Sequence, residues 1–218
     1  MGSSPTKLTP LQLDVLRAFF QRESGFFLTG GAALAGYHLH HRETGDLDLF
    51  TLDAKAFERG SHVLADVAES LGASLQVVQQ APGFLRAVIS KGDGALVIDL
   101  VRDRSYQVAA AKPVIDGVAV DPIEEILANK LTAVVGRAEE RDLVDLFLLE
   151  RSGLKIEEAL PAALQKDGAC TPATLAWLLS EIAVPDVLRV EAGVTAAELR
   201  EWLAGLITRL RRAALPSA

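Results

Sequence analysis

The chain has 218 residues, half of them hydrophobic, enough for one sizeable core or a core with a helical annex. Its net charge of -7 argues against a broad nucleic-acid footprint, which needs clustered Lys and Arg, and leaves only a local basic patch for such contact. The single cysteine, Cys170, excludes an internal disulfide. No apolar run approaches the roughly 20 residues of a membrane span and no charged-then-apolar leader opens the chain, so the expectation is a cytoplasmic protein with no membrane partner.

Met1-Gly2-Ser3-Ser4 is left out of the fold reading. Thr9-Pro10 followed by Leu11, Leu13, Val15, Leu16, Phe19 and Phe20 predicts a capped amphipathic helix ending near Glu23. Phe26 to Thr29 reads as a short strand, Gly30-Gly31 as a turn, and Ala32 to His41 as a helix packed closely on a sheet. Asp46-Leu47-Asp48-Leu49-Phe50 alternates polar and apolar, which predicts a strand with both aspartates on one face. A helix follows over Ala54 to Leu71 and is closed by Gly72. Ser74 to Val78, Phe84 to Ser90 and Ala95 to Val101, separated by Ala81-Pro82-Gly83 and Lys91-Gly92-Asp93-Gly94, predict a three-stranded meander, and Pro113 to Val120 a hairpin about Asp116-Gly117. From Pro122 onward the period is helical, over Pro122 to Arg137, Glu139 to Arg151, Ile156 to Gln165, Pro172 to Ile182 and Ala196 to Arg212. The chain is therefore expected to be α/β over 1–121 and helical over 122–218.

Chemistry concentrates in Thr29-Gly30-Gly31, Asp46-Leu47-Asp48 and Asp99. Two glycines between a strand and a helix let backbone N–H groups approach phosphate oxygens. Two carboxylates on one face of a strand can jointly hold a hard divalent cation, such as the magnesium of a magnesium-bound triphosphate. Asp99 lies in a strand apolar on both faces, where a carboxylate needs a partner: either the same metal or an arginine such as Arg86. Asp46 and Asp48 taken alone also suit the solvated face of an edge strand. Lys130 sits on an apolar helical stripe, four residues from Ile126 and from Val134, and either snorkels or meets an anion. Asp142 and Asp145 share one face of the next helix, a spacing usually found on a solvated face. His38, His40 and His41 lack the further ligands of a closed zinc site, and Arg209, Arg211 and Arg212 form the one dense basic run, suited to a solvated helix end or an RNA contact.

Leu28 to Arg42, running into Thr44-Gly45-Asp46-Leu47-Asp48-Leu49-Phe50, resembles the nucleotidyltransferases of the AbiEii/AbiGii toxin group, with glycine turn, helix, His-Arg and Asp-x-Asp in order. Asp121-Pro122-Ile123-Glu124-Glu125-Ile126-Leu127-Ala128-Asn129-Lys130-Leu131, then Arg137 and Arg141-Asp142-Leu143-Val144-Asp145-Leu146, is similar to that family's downstream helical motif. The resemblance implies a nucleotidyltransferase-like mixed β-sheet core flanked by helices, with a C-terminal helical region completing the site. It also implies magnesium-dependent transfer of a nucleotide from NTP to an acceptor such as the end of a tRNA, restrained by a cognate antitoxin. Carried onto this sequence, Thr29, Gly30 and Gly31 match the phosphate turn and Asp46 and Asp48 the metal carboxylates. Lys130 matches a triphosphate-contacting lysine, and either Asp99 or Asp142 the third carboxylate. The alternative is a nucleotidyltransferase-like domain that binds nucleotide or a protein partner without catalysis.

Overall fold

The computed structural model of the chain describes residues 6–137, 139–190 and 192–215; the Met1-Gly2-Ser3-Ser4 opening lies outside them. Two compact units are formed, Met1–Arg104 with Ala111–Pro122, and Ser105–Ala110 with Ile123–Ala218.

The first unit is a five-stranded mixed sheet with helices. Its elements are α1 (Pro10–Phe20), β1 (Phe27–Thr29), α2 (Gly30–Ala33), β2 (Asp46–Thr51), α3 (Ala54–Ser70), β3 (Ser74–Ala81), β4 (Phe84–Lys91), β5 (Gly94–Arg102), β6 (Val114–Ile115) and β7 (Val118–Ala119). Sheet order is β1-β2-β5-β4-β3, so the predicted meander of β3, β4 and β5 is present. β2 enters beside it, parallel to β5 and antiparallel to β1. A parallel pair needs a long crossover connection, and the chain from β2 to β5 supplies it through α3, β3 and β4. One face of this sheet carries the fully buried Leu47, Leu49, Ile98 and Leu100 with Ala87 and Ile89. α3 lies on that face so closely that a Cβ on Gly60 would stand 2.9 Å from Leu100 and 2.9 Å from Phe26. α1 starts in a capping box between Thr9 and Gln12 and adds Val15, Leu16 and Phe19 to the same core.

The segment predicted as one helix from Ala32 to His41 is a single α turn, α2, continued by wider π turns over Leu34–His38. Gly36 lies against Leu8 there, where a Cβ would come within 2.6 Å of the leucine. The hairpin β6–β7 turns through Asp116 (φ 50) and Gly117 (φ 82), the positive values that the Asp-Gly pair supplies.

The second unit is helical: α4 (Ile123–Gly136), α5 (Glu140–Arg151), α6 (Ile156–Lys166), α7 (Pro172–Ser180) and α8 (Ala196–Ala213). α4 buries Ile126, Leu127, Leu131 and Val134 among these helices. α7 and α8 begin on side-chain caps from Thr171 and Thr195. The Ser105–Ala110 segment is held in this unit by Glu125, fully buried, which accepts from the backbone of Val108 (2.8 Å) and Ala109 (3.1 Å) and pairs with Lys166 at 2.5 Å. No helix among the described residues is long and apolar enough to cross a membrane.

Candidate active site

A single row crosses the first unit's sheet. Thr29 on β1 is in register with Asp48 on β2, Asp48 with Asp99 on β5, and Asp99 with Arg86 on β4. Residues paired across neighbouring strands share a face, and Asp46, two positions before Asp48, shares it as well. The opposite face takes Leu47 and Leu49, so β2 alternates as its sequence predicts. β2 is an interior strand, and the reading of its aspartates as the outward face of an edge strand is corrected on that ground.

The glycine turn is built around these carboxylates. Gly30 has φ +65, and a Cβ there would collide with the Asp48 carboxylate. At Gly31 a Cβ would lie 3.0 Å from Nη2 of Arg42 and 3.3 Å from Oγ1 of Thr44. Thr44 donates to Oδ1 of Asp46 at 2.9 Å, fixing that carboxylate, and Arg42 is buried with Nη1 donating to the Glu43 carbonyl at 3.0 Å. The space left by each glycine is thus filled by the protein's own polar groups. Beside them the Thr29 hydroxyl is buried without a hydrogen-bond partner among the described residues. An orphaned polar atom of this kind is unusual in a folded protein, and this one stands in register with Asp48.

Asp99 has taken the arginine of its two open partners. Nε of Arg86 donates to Oδ1 at 2.8 Å and Nη2 to Oδ2 at 2.6 Å. Those hydrogen bonds, with the charge of Asp99, hold the guanidinium protonated even more firmly than usual, and Asp46 and Asp48 add lesser pulls. No three His, Cys, Asp or Glu among the described residues group closely enough to hold a metal alone. Asp46 and Asp48 remain as a two-carboxylate set. It fits a hard divalent ion that brings further oxygen ligands from a triphosphate and water.

Lys130, Asp142 and Asp145 meet inside the helical unit. Nζ of Lys130 is 2.9 Å from Oδ1 of Asp142 and 2.6 Å from Oδ2 of Asp145, and Arg137 donates through Nε to Oδ2 of Asp142 at 3.0 Å. Both aspartates are fully buried, which overturns their reading as a solvated helix face. Burial alone would raise the Asp142 pKa, but the Lys130 charge and the Arg137 hydrogen bonds outweigh it and hold the carboxyl below its usual range. The anion that Lys130 meets in this structure is internal, where the resemblance implies a triphosphate.

The remaining candidates separate. Nε2 of His38 donates to the Asp121 carbonyl at 2.8 Å, a structural contact. Arg209 is engaged by Glu150 and Glu157 at 2.6 Å each, which leaves Arg211 and Arg212 as the exposed part of the basic run. Sequence reasoning passed over Arg42 and Thr44 as neighbours of Gly31, and Arg137 and Asp145 as members of the Lys130 cluster. The signals for Arg42 were its place in the His-Arg step of the family resemblance and directly before the Asp46 strand.

Among the solved structures that share the fold are two from Helicobacter pylori. JHP933 from Helicobacter pylori matches with TM-score 0.62 and 20% identity over 94% of this chain and 90% of that one. A putative nucleotidyltransferase from H. pylori matches with TM-score 0.60 and 20% identity over 94% and 93%. No curated protein matches the chain. Residues 14–211 match the family described as "Nucleotidyl transferase AbiEii toxin, Type IV TA system". With nearly its whole length covered and a nucleotidyltransferase-like sheet carrying Asp46 and Asp48 beside the glycine turn, the chain belongs to the AbiEii family of nucleotidyl transferase toxins of type IV toxin–antitoxin systems.

Proposed function

We propose that this protein transfers a nucleotide from a nucleoside triphosphate to a hydroxyl acceptor in the cytoplasm, the end of a tRNA being the acceptor class, and that a cognate antitoxin restrains it. The observation that carries this reading is the packing of the Asp48 carboxylate into the space left by Gly30, beside Asp46 on the same strand face. Asp46 and Asp48 would hold magnesium, whose charge would neutralise that of the triphosphate during in-line attack on the α-phosphate. Thr44 keeps the Asp46 carboxylate in place through its 2.9 Å hydrogen bond. Thr29, whose hydroxyl is unsatisfied, donates to the incoming substrate. The acceptor oxygen bonds to the α-phosphorus as its bond to the bridging oxygen breaks; pyrophosphate leaves with that oxygen and one proton is released. Lys130 and Asp142 enter as the ion-paired frame of the helical unit. RNA is met by a local patch, Arg211 and Arg212, since the net charge of -7 repels it elsewhere.

Incubating the protein with each labelled NTP, magnesium and total RNA tests the reading. Label appearing in RNA with magnesium and disappearing with EDTA supports it. Label that enters no fraction with any NTP counts against transfer, and NTP binding with equal affinity in magnesium and in EDTA counts against the carboxylate pair.

A further inference from the structure

The row of Thr29, Asp48 and Asp99 ends on Arg86, a residue the proposed reaction leaves unused. Its side chain is 45% exposed while that of Asp99 is 11% exposed, so a buried carboxylate grips one edge of a guanidinium that otherwise faces outward. Two of the five guanidinium N–H donors go to Asp99. Three are left without a partner among the described residues. The arginine also lies over the Phe84 ring, 5.8 Å from its centroid, which holds its plane on the same face of β4. A fork-to-fork pair of this kind fixes direction as well as distance.

Charge argues for what those donors meet. Asp46 and Asp48 lie on that face, and neighbouring strands stand about 4.8 Å apart, which puts the Asp48 and Arg86 backbones about 10 Å from each other. A substrate entering between them presents anionic oxygens to both sides. The carboxylates can receive them only through a cation, whereas Arg86 can receive them directly.

We infer that Arg86 is a binding site for a phosphate oxyanion of the substrate, and that Asp99 is the positioning residue that aims it. Asp99 therefore serves neither as a third magnesium ligand nor as a base. This rests on the proposed transfer reaction and deepens it. The oxyanion belongs either to the triphosphate or to the phosphate backbone of the acceptor.

The test is calorimetric titration of the full chain with magnesium-NTP, magnesium-NMP and total tRNA, alongside steady-state transfer, for wild type, Arg86→Ala, Arg86→Lys, Asp99→Asn and the uncharged pair Arg86→Gln with Asp99→Asn. The paired variant leaves no lone buried charge and guards against a folding defect. If the triphosphate is the source, Arg86→Ala and the pair weaken magnesium-NTP binding about tenfold to a hundredfold and leave NMP and tRNA alone. If the acceptor is the source, the same variants weaken tRNA binding and raise its KM while NTP affinity holds. Arg86→Lys, which keeps the charge but loses the fork, recovers part of the loss in either case. Asp99→Asn raises the affected KM more than it lowers kcat, and leaves the magnesium concentration for half-maximal rate unchanged. Folded Arg86 variants with wild-type affinity for both ligands would overturn the inference, as would Asp99→Asn losing kcat more than a hundredfold with both affinities intact. A wild type that binds neither NTP nor tRNA would instead sink the transfer reaction itself.

Discussion

Replacing Lys130 with Met tests whether this lysine belongs to the protein interior or to the substrate. Its Nζ stands 2.9 Å from Asp142 and 2.6 Å from Asp145, both fully buried, and Arg137 is the further cation donating to Asp142. Removing one partner of a buried ion pair costs about 3–5 kcal/mol, because the charges left behind have lost the field that paid for their desolvation. A domain of this size has about 5–15 kcal/mol in total, so Lys130→Met should lose at least about a fifth of it, visible as a lower urea midpoint at neutral pH. Neutralising the orphans as well, with Asp142→Asn and Asp145→Asn, should return part of the loss. The pH dependence follows from the direction of the Asp142 shift. A carboxyl held below its unfolded pKa contributes stability that is complete above the unfolded value, about pH 4, and disappears as pH falls through the folded one. Without Lys130 the folded pKa rises, since burial then faces Arg137 alone. The variant takes up its proton first, and the gap to wild type narrows between the two folded values. If Lys130→Met unfolds within about 1 kcal/mol of wild type at pH 7 yet loses NTP affinity, the internal ion pair is refuted and the triphosphate contact implied by the resemblance takes its place.

Three further outcomes are expected. Gly30→Ala should cost about 1–3 kcal/mol in thermal melts and abolish transfer, because alanine is strained at φ +65 and its Cβ displaces the Asp48 carboxylate; Gly31→Ala, whose backbone is unstrained and whose Cβ meets the ends of Arg42 and Thr44 at 3.0 and 3.3 Å, should be milder on both counts, and equal effects would contradict the geometry. Asp46→Asn with Asp48→Asn should abolish transfer and the magnesium-NTP thermal shift with the apo melt within about 1 kcal/mol of wild type, since asparagine keeps the acceptor that Thr44 uses at Asp46; a retained ligand shift would rule out a metal site. Arg211→Ala with Arg212→Ala should weaken tRNA binding and flatten its salt dependence without changing the melt, whereas Arg209→Ala should lower the melt through Glu150 and Glu157; unchanged tRNA binding in the first variant removes this patch from the acceptor path.

Where the physics is local, the sequence could be read. The alternation Asp46-Leu47-Asp48-Leu49 became a strand with buried leucines, because a two-residue period is a property of the strand itself. The helix start read at Thr9-Pro10 became a capping box between Thr9 and Gln12, since both partners lie within one turn. The Asp116-Gly117 hairpin formed because that pair accepts two successive positive φ values. Ala32 to His41 went differently. Its small residues suit a helix, but His40 takes φ 50 and the turns widen from Leu34, choices that depend on what packs against Gly36. Ser105 to Ala110 carried no signal at all, because its tie is to Glu125 and Lys166, far along the chain.

The site divides along the same line. That Asp46 and Asp48 share a face was legible, and Arg86 was one of the two partners the sequence offered Asp99; that this pair stands in one row with Asp48 was not legible, because it requires β2 to run parallel to β5 and β4 to pair with β5 in one particular register, set by long-range packing. The spacing of Asp142 and Asp145 correctly put both on one side of α5, yet exposure could not be inferred from it. A helix face is solvated or buried according to its neighbour, and the neighbour here is Lys130 on α4, twelve residues before Asp142. Lys130 on its apolar stripe was the clue: a lysine amid Ile126, Leu131 and Val134 either escapes to water or finds an acid, and Asp142 and Asp145 were the acids within reach of one helical turn-back. The glycine pair carries the sharper lesson. Two glycines after a strand suggested backbone N–H groups open to a phosphate; the structure adds that the space beside each glycine is taken by Asp48, Arg42 and Thr44, so the glycines also let the protein's own polar groups stand closer together than any side chain would permit.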